Sequence, residues 1–128
     1  MNQQFKKQIL VIEDDPIVSC LIRKLLERRG YQVALTSNGK EAIDLYSRMV
    51  FNLVITDIIM PEMQGLETIK ELRHTNPSVK IIAVSGGGIG LADYYLRAAH
   101  VLGAMRTFSK PFHIEEMQRA VDELIGAA

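Results

Sequence analysis

The feature that most constrains this chain is an alternation of two kinds of apolar segment. Gln8–Ile12, Tyr31–Leu35, Leu53–Thr56, Val79–Val84 and Met105–Phe108 are short and rich in β-branched or aromatic residues, a pattern that predicts buried strands. Between them run longer stretches with helical period. Ile17, Leu21 and Leu25 beside Val18, Ile22 and Leu26 form one stripe, Ile43 with Tyr46 a second, and Leu66, Ile69 and Leu72 a third. Leu91, Tyr95, Ala98 and Leu102 form a fourth, and Ile114, Met117, Val121 and Leu124 a fifth. Punctuation agrees with this division. Asp15-Pro16 supplies an N-cap acid before a first-turn proline, Gly30 can close that helix, and Asn38 with Glu41 reads as a capping box. The last helix is expected to start near His113. Parallel strands need helical crossovers of one hand, and five units are too few for an eight-stranded barrel. The expected fold is therefore α/β: a doubly wound, five-stranded parallel sheet with ligands at the carboxyl ends of its strands.

Composition bounds what such a domain does. A chain of 128 residues with a 48% hydrophobic share can bury about two-thirds of its unfolded surface as one domain, expected over 1–128. Lys+Arg and Asp+Glu balance at 15 each, which argues against a nucleic-acid surface or a polybasic membrane footprint. A single cysteine, Cys20, precludes an internal disulfide and fits a reducing cytoplasm. No secretory signal or membrane-length apolar run is present in the sequence.

The polar residues that stand out fall at the carboxyl edge of the expected sheet. Strand 1 ends in Glu13-Asp14-Asp15, strand 3 in Asp57, strand 4 in Ser85, and strand 5 runs into Lys110-Pro111. Glu13, Asp14 and Asp57 would repel one another in one crevice, so the site must take up protons or a cation. Mg²⁺ suits it, because this hard ion takes one or two carboxylates, keeps waters, and is completed by phosphate oxygens. Three carboxylates, one ammonium and one divalent ion also neutralise one another. With Lys110 and the Ser85 hydroxyl to hold oxygens, such a site fits phosphoryl transfer, and Asp57 on the central strand is the natural nucleophile.

Four strings carry a resemblance: Ile-Leu-Val-Ile-Glu13-Asp14-Asp15-Pro, Thr-Asp57-Ile-Ile-Met-Pro61 with Gly65 downstream, Ala-Val-Ser85-Gly, and Lys110-Pro-Phe. In this order, over nearly the whole chain, they resemble the response-regulator receiver family. The resemblance implies a flavodoxin-like sheet of strand order 2-1-3-4-5, in a stand-alone receiver of a two-component system. Asp57 would be the phosphoacceptor, charged by the phosphohistidine of a histidine kinase. Glu13, Asp14, Asp57 and the Ile59 backbone carbonyl would hold Mg²⁺, Ser85 would be the switch hydroxyl, and Lys110 would contact the phosphoryl group. The Lys110–Pro111 bond would be cis. Phosphorylation would alter the face formed by helix 4, strand 5 and helix 5, where an unknown downstream protein would dock. The rival readings are a pseudo-receiver acting only through protein contacts, a phosphorelay intermediate, and a flavin or nucleotide binder. Three acids at the ligand edge would repel the phosphates of the last.

The sequence also departs from the family pattern. Thr107 stands where family members often carry an aromatic switch residue, and Ile59 is apolar where fast-hydrolysing members tend to be polar. A comparatively long-lived aspartyl phosphate is the expectation. The run Gly86-Gly87-Gly88-Ile89-Gly90 predicts a mobile loop rather than a phosphate cradle, lacking the Gly-Lys-Ser/Thr ending of a P-loop. Cys20 is expected to pack in the core, and His74, His100 and His113 lack metal-ligand spacing. Of the adjacent Tyr94 and Tyr95, one is expected to pack and the other to face a partner, with Arg97 and Arg106 at the edge of that surface.

Overall fold

A computed structural model describes residues 6–58, 65–86 and 91–126. Five strands, β1 (Gln8–Ile12), β2 (Gln32–Thr36), β3 (Leu53–Asp57), β4 (Ile81–Ser85) and β5 (Arg106–Ser109), alternate with five helices. The helices are α1 (Pro16–Arg28), α2 (Gly39–Arg48), α3 (Gly65–Thr75), α4 (Leu91–Leu102) and α5 (Ile114–Ile125). The strands form one parallel sheet in the order β2-β1-β3-β4-β5. The expected doubly wound architecture and strand order are thus what the chain adopts, with most strand boundaries displaced by a residue or two.

Period-two alternation along the strands divides the core into two layers. Leu10, Ile12, Val54, Ile81 and Ala83 face one way and pack with Ala42, Ile69, Leu72 and Ala99 from α2, α3 and α4. Ile9, Val11, Leu53, Ile55, Ile82 and Val84 face the other and meet Ile22, Leu26, Met117 and Val121 from α1 and α5. Strands buried on both faces explain the near-continuous apolar runs of β1, β3 and β4. The capping signals act largely as read, except that the Glu41 carboxylate accepts from the Ser37 N–H at 3.3 Å and does not close the box on Asn38. Asp15 accepts from the Ile17 N–H at 2.9 Å, Asn38 from the Glu41 N–H at 2.9 Å, and Gly30, at φ 94°, follows the end of α1. His113 is the N-cap of α5, although its side chain makes no capping bond.

Two expectations on α1 are corrected. Cys20 is exposed, and Ile17 and Leu21 are 78% and 54% exposed. At about 100° per residue, the sheet-facing sector holds Val18, Ser19, Ile22 and Leu26. Ile17 and Cys20 each fall about 150° from the middle of that sector and Leu21 about 110°. A stripe of six apolar residues is wider than the face one sheet can cover. On α4 the tyrosines divide as expected: Tyr94 is exposed and Tyr95 packs against the core, the two rings meeting edge to face. Among the described residues no helix is long and apolar enough to cross a membrane.

Candidate functional site

Parallel pairing brings the ends of β1, β3 and β4 to one edge, and the loop after β5 reaches over the same place. Glu13 follows β1, its N–H tied to the Thr36 carbonyl of β2 at 3.0 Å. Asp57 closes β3 opposite Val84 of β4. The adjoining Ile58 N–H donates to the Val84 carbonyl at 2.9 Å, and the Thr56 hydroxyl donates to the Asp57 carbonyl at 2.9 Å. Lys110 is anchored through its own N–H, which donates to the Ser85 carbonyl at 2.8 Å. The Lys110–Pro111 peptide that follows is cis.

From these anchors the side chains converge. Carboxylate oxygens of Glu13, Asp14 and Asp57 lie within 4.8 Å of one another. Lys110 Nζ donates to Glu13 Oε1 at 2.9 Å and to Asp57 Oδ2 at 3.2 Å, bridging two buried acids while Asp14 stays exposed. Burial pushes Glu13 up to about 7, with the Asp57 charge acting in the same direction and the Lys110 hydrogen bond opposing both. Lys110 is pulled down by its own burial, but the hydrogen bond to Glu13 and the Asp57 charge outweigh this and hold it above the usual lysine range. A buried acid that keeps a proton near neutral pH is a group waiting for more positive charge. The donor set is all oxygen and carries several negative charges, which fits a hard divalent ion such as Mg²⁺.

The other expected residues stand as follows. Ser85 is fully buried at the end of β4 and its hydroxyl donates to the Gly86 carbonyl at 3.1 Å. Asp15 caps α1 and lends its N–H to Glu13 Oε2 at 3.2 Å, helping to orient that acid. Ile59 and the glycines at 87, 88 and 90 lie outside the described residues. The sequence reading missed Thr56, whose hydroxyl holds the carbonyl of the acid beside it; in sequence it is one more β-branched strand residue. Beside Lys110, an apolar cavity of about 440 Å³ opens between α1 and the start of α5, lined in part by Leu21, Gly86, Pro111 and Phe112.

Residues 9–122 match the response regulator receiver domain family. The chain is a receiver domain. It is 31% identical over 122 residues to the response regulator receiver protein CpdR of Brucella abortus, covering 95% of this chain and 99% of CpdR. It is also 34% identical over 119 residues to the transcriptional regulatory protein ZraR of Klebsiella oxytoca. That match covers 92% of this chain, which spans only 26% of ZraR. Among solved structures, the response regulator TrrA of Thermotoga maritima, in complex with Mg²⁺ and BeF, superposes with a TM-score of 0.79. It is 31% identical, with 92% of this receiver and 98% of TrrA covered. The molecule is accordingly a regulatory domain of the two-component type.

Proposed function

We propose that this receiver takes a phosphoryl group onto Asp57 from the phosphohistidine of a histidine kinase, in a Mg²⁺-dependent reaction. The observation that carries the proposal is the bridge from Lys110 Nζ to both Glu13 and Asp57 within a three-acid cluster. In the transfer the donor's N–P bond breaks, an Asp57 O–P bond forms, and the freed imidazole takes up a proton. Glu13, Asp14 and Asp57, with the Ile59 carbonyl, would hold Mg²⁺, whose charge would offset that of the acids and the arriving phosphoryl oxygens. Lys110 would exchange part of its hold on Asp57 for a phosphoryl oxygen, and the Ser85 hydroxyl would leave the Gly86 carbonyl for another. Little covalent help is needed from the protein, because such transfers depend on alignment and charge neutralisation.

The phosphorylated state would be read at the face of α4, β5 and α5 by a downstream protein, in the cytoplasm, without nucleic acid or membrane as partner. Support comes from a cavity of about 540 Å³ lined by Leu96, Arg97, His100, Val101 and Thr107. Val101 in its lining is 82% exposed, and Arg106 pairs with Glu123 across the same face at 3.2 Å. Threonine at position 107 leaves the signal to Ser85 and the loop movements it controls. The match to CpdR, which covers 99% of that protein, supports a single receiver domain over residues 1–128.

The test is intact mass after incubation with acetyl phosphate, in Mg²⁺ and in EDTA, on the wild type and Asp57→Asn. The expected result is a metal-dependent gain of one phosphoryl mass that Asp57→Asn lacks. No gain with acetyl phosphate or with any candidate kinase would overturn the proposal in favour of a pure protein-interaction module.

A further inference from the structure

We infer that Gly65 is a positioning residue for the acceptor: it lies against the Asp57–Ile58 backbone so closely that any side chain there would displace the Asp57 carboxylate. The inference rests on the reading of Asp57 as acceptor. Gly65 opens α3, is buried, and donates its N–H to the Ile58 carbonyl at 2.7 Å. A Cβ at this position would stand 2.3 Å from Ile58 Cα, 2.4 Å from the Asp57 carbonyl oxygen and 2.7 Å from the Ile58 carbonyl oxygen. All three are backbone atoms, which cannot turn aside as a side chain can. The φ of Gly65 is not positive, so the demand is for space and not for a glycine conformation.

Other glycines differ: at Gly103 a Cβ would stand 2.8 Å from Arg73, but from the movable end of a side chain and not from backbone. At Gly86 a Cβ would meet only Lys110 side-chain carbons, the nearest at 3.3 Å, and at Gly30 and Gly126 it would meet nothing within 4 Å. The Asp57–Ile58 segment, meanwhile, is held on its other sides. Ile58 N–H is bonded to β4, the Thr56 hydroxyl holds the Asp57 carbonyl, and Lys110 reaches the carboxylate at 3.2 Å. Ordinary contact begins at about 3.4 Å, so a methyl group would have to part α3 from the end of β3 by about 1 Å. Misplacement of a reacting group by about 1 Å costs on the order of 10²-fold in rate. Gly65 thereby sets where the carboxylate stands relative to Lys110 and Glu13, without touching substrate or metal itself.

The experiment compares wild type, Gly65→Ala and Val121→Ala. Val121→Ala is a cavity variant in the opposite core layer, used to match lost stability. Thermal unfolding, Mg²⁺ affinity by calorimetry, labelling by acetyl phosphate at saturating Mg²⁺, and the ¹³C resonance of the Asp57 carboxyl are measured for each. Gly65→Ala is expected to weaken Mg²⁺ binding at least about tenfold, slow labelling about 10²-fold and shift the Asp57 resonance. Val121→Ala should lower Tm while holding Mg²⁺ affinity and labelling within about twofold of wild type. Equivalent behaviour of the two variants would overturn the inference. If Gly65→Ala is unfolded in dilute buffer, the measurements are made in the cold with trimethylamine N-oxide, which favours the folded state. Unfolding even there would assign Gly65 to the fold alone and overturn the positioning role. Failure of the wild type to label would instead count against the acceptor reading, leaving Mg²⁺ affinity and the Asp57 resonance to decide Gly65.

Discussion

Replacing Glu13 with glutamine should make the metal-free protein more stable at pH 8 while impairing its site. Glu13 is 4% exposed and pushed up to about 7 from an ordinary 4.5. A pKa raised on folding means that the folded state holds its proton where the unfolded chain has lost it. The stability Glu13 allows is complete below about pH 4.5, declines as the pH rises, and reaches its minimum above about pH 7. At about 1.4 kcal/mol per pH unit, the full loss is on the order of 3 kcal/mol. Glutamine has the same shape, carries no charge to bury, and still offers Lys110 an oxygen; the favourable ionic bond to Lys110 that it gives up is already counted in the net shift of Glu13. The net gain for Glu13→Gln in EDTA should be on the order of 3 kcal/mol at pH 8 and under about 1 kcal/mol at pH 5. Urea unfolding reads this as a midpoint higher by about 1.5 M at pH 8 and by less than about 0.5 M at pH 5, for a slope near 2 kcal/mol/M. Adding Mg²⁺ should restore stability to the wild type by mass action and less to the variant. A variant destabilised equally at both pH values would refute the reasoning, because it would mean that the ion pair with Lys110 outweighs the burial of the charge.

Four further outcomes are expected. Mg²⁺ affinity should rise about tenfold per unit as the pH climbs towards 7 and then level off, since binding must expel the Glu13 proton; calorimetry showing no dependence between pH 5.5 and 8 would contradict this. Tyr31→Phe removes the hydroxyl that donates to Asp122 beside Arg29, and should cost about 1 kcal/mol in denaturant unfolding. In the wild type this buried phenol, raised to about 12, should be among the last tyrosines to ionise in an alkaline absorbance titration. Cys20→Ser should leave stability within about 0.5 kcal/mol, as an exposed position requires, whereas a core cysteine would cost more.

Alternation of β-branched runs with helical stripes was enough to determine the layers, the two-sided burial of β1, β3 and β4, and the sheet edge at which Glu13, Asp14, Asp57, Ser85 and Lys110 assemble. These follow from local period, capping chemistry and the crossovers parallel strands require, all written in consecutive residues. The sequence by itself did not decide which apolar residues of α1 are covered, because Ile17, Cys20 and Leu21 have the chemistry of a core and only the width of the sheet leaves them outside. It did not disclose that Lys110 joins two acids at once, or that Glu13 is buried deeply enough to hold a proton near neutral pH. Nor did it distinguish Gly65, pressed against the acceptor's backbone, from Gly30 and Gly126, which have open space around them. Those properties depend on distances between segments far apart in the chain, and only tertiary packing sets such distances.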